Sequence, residues 1–158
     1  MELRTFLFSK NEERLKKAFK IREEVFIKEQ NVPENLEKDQ FDSDAIHLVV
    51  EADGIPVATG RLFSDPDDSS VARIGRIATL KEYRGRGIAG KVVADLLDCA
   101  LKKGFKKVII HAQSDVEKMY SRFGFERCGK EFLEAGISHI EMVLNLEEWS
   151  RNEKGSLF

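Results

Sequence analysis

The sequence is short of cysteine, proline and tryptophan, and it has no long apolar run. Its 158 residues hold two cysteines, three prolines and one tryptophan. Cys99 and Cys128 are too few and too far apart for a disulfide framework or a zinc site; they read as two reduced thiols of a cytoplasmic protein. Nowhere do about 18 apolar residues run together, so no membrane span is expected. The start, Met1-Glu2-Leu3-Arg4, lacks the apolar stretch of a secretory signal. The three histidines have no ligand spacing with one another, so no metal site is expected. Formal net charge is -2, too small for a field that would recruit nucleic acid, so an anion site must be local.

What is present is the balance of a globular domain, 42% apolar and 34% charged. The length suits one domain with a continuous core, expected over residues 1–148, with 149–158 as a polar, frayed tail. Glu2 to Phe8 alternates as a strand. Asn11 can cap a helix running through the Arg22 region, with apolar residues continuing to Phe26. Asn31 to Asp44 is polar and acidic, and reads as a loop or a short helix. Ile46–Glu51 and Ile55–Phe63 form strands about the Asp53-Gly54 turn, and Val71–Thr79 follows as a fourth strand.

Gly87 to Lys103 has the clearest helical period, with Ile88, Val92, Leu96 and Ala100 at four-residue steps. Lys107 begins a fifth strand. Asp115 can cap a short helix that Gly124 ends, and a hairpin turning at Ala135-Gly136 closes the chain. Antiparallel hairpins with one strand–helix–strand crossover predict an α/β domain of the α+β type, with a mixed, mostly antiparallel sheet of six or seven strands. A doubly wound sheet would alternate strictly. An exposed edge strand would favour homo-oligomers.

The loop Arg84-Gly85-Arg86-Gly87-Ile88-Ala89-Gly90 opens the strongest helix. Its glycines let a backbone approach a ligand, and the free N–H groups of the first turn suit a phosphate. Gly85, Gly87 and Gly90 satisfy the dinucleotide pattern G-x-G-x-x-G, but Lys107–His111 ends without the acid that pattern requires. Gly85 to Lys91 nearly matches a nucleotide-triphosphate loop, but Val92 has no hydroxyl for magnesium.

The run from Thr79 to Ala89 resembles the core motif of the GNAT superfamily of N-acetyltransferases, V-x-P-x-x-[RQ]-x-x-G-x-[GA]. Thr79 stands for the usual valine and Lys81 for the usual proline. Downstream, Gln113, Tyr120 and Gly124-Phe125 fit the family's second signature. Ile21-Arg22, Val25-Phe26, Glu29-Gln30, Glu37, Asp39, Asp42, His47 and Glu134 to His139 resemble its ElaA-like branch.

The resemblance implies a sheet splayed between its fourth and fifth strands, with helices on both faces. It implies acetyl-CoA as donor and direct transfer to a primary amine, on a small molecule or a peptide. A module that binds or senses acyl-CoA without transfer is the alternative. Ile77, Ala78 and Thr79 would pair their backbone with the pantetheine arm. The amides of Gly85, Gly87, Ile88, Ala89 and Gly90, with Arg84 and Arg86, would take the pyrophosphate. Gln113 would contact the arm, and Tyr120 would serve as general acid. Arg22, Glu29, Asp39, Asp42 and His47 are the acceptor-side residues. The base stays open among Glu29, Asp39, Asp42, His47, His111 and His139. Six acids between Glu29 and Asp44 against Lys38 alone would form an acidic rim for a cationic acceptor, although Arg22 could instead grip a carboxylate.

Overall fold

The computed structural model describes residues 1–156, with side chains through 152. Its elements are β1 (Leu3–Phe8), α1 (Glu12–Arg22), α2 (Glu34–Glu37), β2 (Ile46–Ala52), β3 (Ile55–Ser64), β4 (Val71–Thr79), α3 (Ile88–Lys102), β5 (Lys107–Gln113), α4 (Glu117–Phe123), β6 (Glu126–Arg127), β7 (Phe132–Glu134), β8 (Ile137–Asn145) and α5 (Leu146–Ser156). The strand order is β1-β2-β3-β4-β5-β8-β6, with β7 paired to β8. The sheet is antiparallel apart from the β4–β5 pair, which is the predicted mixed architecture. That parallel ladder covers only Val71–Arg73 against Lys107–Ile109. The described residues form eight strands because the first arm of the predicted hairpin divides into β6 and β7.

The chain forms two compact units, and β4 and α3 each contribute to both. The first comprises Met1–Phe63 and Gly75–Leu96. Asn11 caps α1 by accepting the Arg14 N–H at 3.0 Å, as its sequence position predicts. After Arg22 the chain widens into a π-helical turn, Glu23–Glu29, which sequence periodicity does not reveal. That turn keeps Val25 and Phe26 buried beside Ala18 and Ile21, in a core shared with Val49 and Ala78. Gly60 is required by packing. A Cβ there would stand 2.8 Å from both Leu96 and Val92.

The second unit comprises Ser64–Ile74 and the chain from Leu97 onward. Val108, Ile110 and Ala112 alternate inward on β5, opposite Leu144, Met142 and Ile140 of β8. Ala135 and Gly136 take φ of 52° and 77°, the paired left-handed conformation of a tight hairpin turn. Asp115 does not cap α4. It lies in a short 3-10 turn, Ser114–Val116, ahead of the helix, while Gly124 ends the helix at φ 105° as expected. The tail also departs from expectation: residues through Ser156 form α5, because Leu146 and Trp149 find buried positions. The last two positions of the predicted tail lie outside the described residues.

Candidate functional site

β4 ends at Thr79, and the Leu80 N–H ties the exit to the Val57 carbonyl at 2.8 Å. One 3-10 turn, Lys81–Tyr83, leads into the glycine loop. Gly85 and Gly87 hold φ of 77° and 79°, with open space where a side chain would be. Conformation therefore requires glycine here, and the absent side chains leave the backbone accessible. The first helical bond is Lys91 N–H to Gly87 O at 3.1 Å. The amides of Ile88, Ala89 and Gly90 precede that ladder and meet no helical carbonyl, with the positive end of the α3 dipole behind them. Buried Ile88 anchors the turn. Arg86 is exposed, with its guanidinium 5.4 Å from the Tyr83 ring centroid.

Arg84 departs from the role expected of it. Its two terminal nitrogens hold Glu29 at 2.6 and 2.7 Å, and its Nε holds the Thr79 carbonyl at 2.9 Å. The guanidinium is thus engaged within the protein, clipping the π-helical turn to the end of β4. Each partner favours the other's charge: the bond from Arg84 lowers the Glu29 pKa, and the bond to Glu29 raises that of Arg84. Glu29, expected beside the acceptor or as base, is the other half of this clip.

The remaining acceptor-side residues come together as a charge network. Arg22 is 1% exposed. Its Nε meets Glu37 at 2.9 Å, its Nη1 meets Asp42 at 2.7 Å, and its Nη2 meets the Glu37 carbonyl at 2.9 Å. Arg61 adds bonds of 2.6 Å to Asp39 and 2.8 Å to Asp42. Arg76 reaches Glu37 at 3.1 Å and Asp39 at 3.3 Å. Three arginines thus face three carboxylates. Burial opposes ionisation of Asp42, yet Arg22 and Arg61 outweigh it and hold the carboxyl well below the usual range. His47 Nε2 donates to the Asp42 carbonyl at 2.9 Å, and burial depresses its pKa.

Arg22 therefore grips the protein's own carboxylates and presents nothing to a ligand. Asp42 and His47 are buried with it. Asp39 is the most exposed carboxylate of the network. The acidic rim is largely neutralised from within. Sequence reading missed Arg61 and Arg76. The available signals were a lone arginine inside the apolar strand 55–63, and two inside 71–79, Arg73 and Arg76. Arg76 sits at φ 50°, a kink in β4 that carries its side chain to the α2 segment.

In the second unit, Gln113 ends β5 opposite His139 and is half-buried. Tyr120 is 7% exposed, its ring edge-on to Phe125 at 5.8 Å, and burial raises its pKa. His111 stands between Glu134 and Glu141, at 3.2 Å from each. His139 Nδ1 donates to the Ile137 carbonyl at 2.7 Å. Neither histidine is free of partners. Among the described residues, no group of three or more His, Cys, Asp or Glu is placed to hold a metal ion.

Comparison with known proteins identifies the chain, whose open glycine loop leads from a mixed sheet into α3, as an acyl-CoA-dependent acyltransferase. Residues 8–146 match the family described as "Acetyltransferase (GNAT) domain", and the chain belongs to that family. It is 38% identical over 138 residues to the uncharacterised N-acetyltransferase YjcF of Bacillus subtilis, covering 87% of this chain and 96% of that protein. An acyl-CoA N-acyltransferase from Pseudomonas aeruginosa superposes with a TM-score of 0.81 at 28% identity, over 90% of this chain and 99% of that one. Escherichia coli ElaA has the same fold, with a TM-score of 0.81 at 24% identity over 90% of this chain and 99% of that one. Among the described residues no helix is long and apolar enough to cross a membrane.

Proposed function

We propose that this protein transfers acetyl from acetyl-CoA to a primary amine, by direct attack with both substrates bound. The observation that carries this reading is the loop from Gly85 to Gly90, where open glycine backbone meets three amides outside the helical ladder. Those amides and the helix dipole fit a pyrophosphate, with Arg86 as the exposed cation beside them. Ile77, Ala78 and Thr79 would align the pantetheine arm through their backbone, as an added strand would be aligned. Gln113 would meet the same arm.

Acetyl-CoA supplies an activated thioester. The amine nitrogen forms the new bond to the carbonyl carbon, the carbon–sulfur bond breaks, and the sulfur leaves as thiolate. A backbone N–H of β4 polarises the carbonyl, an interaction worth about 3–4 kcal/mol in comparable sites. Tyr120 gives the thiolate its hydrogen bond and proton, and recovers a proton from water as CoA leaves. Its burial keeps the phenol neutral, so the proton is present across the working range. The amine sheds its own proton to water. The two free thiols fit a reducing cytoplasm.

The test is release of CoA thiol from acetyl-CoA, with and without a panel of primary amines, and mass spectrometry of the amines. Amine-dependent thiol release with the mass of one acetyl group gained on one acceptor supports the proposal. Binding of acetyl-CoA with no transfer to any amine, peptide lysines included, would sink it.

A further inference from the structure

Five non-glycine residues take a left-handed φ among the described residues. Lys10, Asn31, Asp53 and Ala135 lie between elements, and Arg76 alone, at φ 50°, stands within a strand. A left-handed arginine inside a strand is strained, and such strain collects where a side chain does more than pack. The kink turns the guanidinium toward the α2 segment. Its Nε meets the Glu37 carbonyl at 3.1 Å, and its Nη2 meets the Leu36 carbonyl and Asp39, each at 3.3 Å.

These contacts are looser than those of the neighbouring arginines. Arg61 holds Asp39 and Asp42 at 2.6–2.8 Å, and every guanidinium nitrogen of buried Arg22 is bonded. Arg76 Nη1 has no hydrogen-bond partner among the described residues. Arg61 Nε also lacks one, but it is shut off from solvent. The Arg76 side chain is 26% exposed, against 1% for Arg22 and 5% for Arg61. Burial and the positive charges of Arg61 and Arg22 lower the Arg76 pKa, so a further negative charge at this guanidinium would be favourable. Arg76 is therefore the arginine of the network with a donor left for a ligand.

Its place on the strand says which ligand. Arg76 adjoins Ile77, and Ile77 to Thr79 is the stretch proposed above to align the pantetheine arm. The glycine loop follows Thr79, so the arm would run from Thr79 toward Ile77 and bring its thioester closest to Arg76. We propose that Arg76 binds the acceptor, and that the acceptor is an amino acid whose carboxylate it holds. This deepens the acetyl-transfer reading and rests on it, with the α-amine as nucleophile. The carboxylate sits on the outer edge of the guanidinium, through Nη1. Asp39, 27% exposed and 3.3 Å from Nη2, places a negative charge beside that anion. The pair of charges favours a molecule that carries ammonium and carboxylate together over a phosphate dianion or a polyamine.

The test measures acetyl transfer to the proteinogenic L-amino acids, to their α-amides, to spermidine and to a lysine peptide. An α-amide keeps the amine and the side chain and loses only the negative charge. For the amino acid used best, the unmutated protein should show kcat/KM about 10- to 100-fold above that for its amide, the worth of one charge-assisted pair. Arg76→Gln should raise the amino-acid KM by that factor and abolish the preference, with KM for acetyl-CoA nearly unchanged. Arg76→Lys, which keeps the charge, should retain part of the preference. Equal use of acid and amide by the unmutated protein, or transfer to spermidine or the peptide alone, would overturn the inference whatever the stability of the variants, and would leave acetyl transfer standing. A preference that survives in folded Arg76→Gln would overturn the assignment to Arg76. Absence of transfer to any amine would remove the transfer reading, and the inference with it.

Discussion

Arg84 holds Glu29 through both terminal nitrogens, at 2.6 and 2.7 Å, and the same guanidinium holds the Thr79 carbonyl at 2.9 Å. One side chain thus joins the π-helical turn, the end of β4 and the glycine loop. Both partners are 39% exposed at the side chain, so the pair adds at most about 1 kcal/mol to stability. Its consequence lies in where the cation points. Glu29→Gln weakens the hold and frees Arg84 for a phosphate. CoA should then bind about threefold more tightly, the equivalent of roughly 0.6 kcal/mol, with a steeper salt dependence. Weaker binding in this variant would show that Arg84 acts by shaping the loop and not by its charge.

The buried network responds differently to loss of a partner. Asp42→Asn leaves Arg22 and Arg61 short of a negative charge in a buried site. The expected loss is about 3–5 kcal/mol, as measured by urea unfolding. A loss under about 1 kcal/mol would mean that water reaches these arginines when the carboxylate is removed.

His111 gives the second unit a pH dependence. The bond to Glu134 raises its pKa against the opposing effect of burial, and Glu141 adds to the rise. A histidine whose folded pKa exceeds its unfolded value stabilises fully below the unfolded value, about 6.5. That contribution is lost as pH rises through the folded value. The unfolding midpoint of the unmutated protein should therefore exceed that of His111→Gln more at pH 6 than at pH 8.5. An equal gap at both pH values would remove His111 as the titrating group.

Tyr120→Phe keeps the ring against Phe125 and removes only the hydroxyl. With a proton donor at this position, kcat should fall roughly 100-fold or more, while KM for acetyl-CoA and the unfolding midpoint change little. Retention of most of the turnover would return Tyr120 to a packing role.

The glycine loop and its helix were legible in the sequence because their cause is local. A left-handed φ at Gly85 and Gly87 and a four-residue apolar period from Ile88 need no knowledge of distant residues. The hairpin turn at Ala135-Gly136 was legible for the same reason. The π-helical turn was not, because one extra residue per turn shifts the apolar period within a single turn. Helix α5 was not legible either, because a polar stretch is helical here through the burial of Leu146 and Trp149, which depends on partners elsewhere in the chain.

Sequence by itself determined the family and the place of the glycine loop, both of which depend on short-range spacing. Tertiary structure decided what each charge does. The stretch from Glu29 to Asp44 reads as an acidic rim. Yet Arg22, Arg61, Arg76 and Arg84, drawn from α1, β3, β4 and the loop after β4, neutralise most of it. A charge is solvated, paired or free for a ligand according to which opposite charge folding brings within about 4 Å, and sequence separation carries no record of that distance.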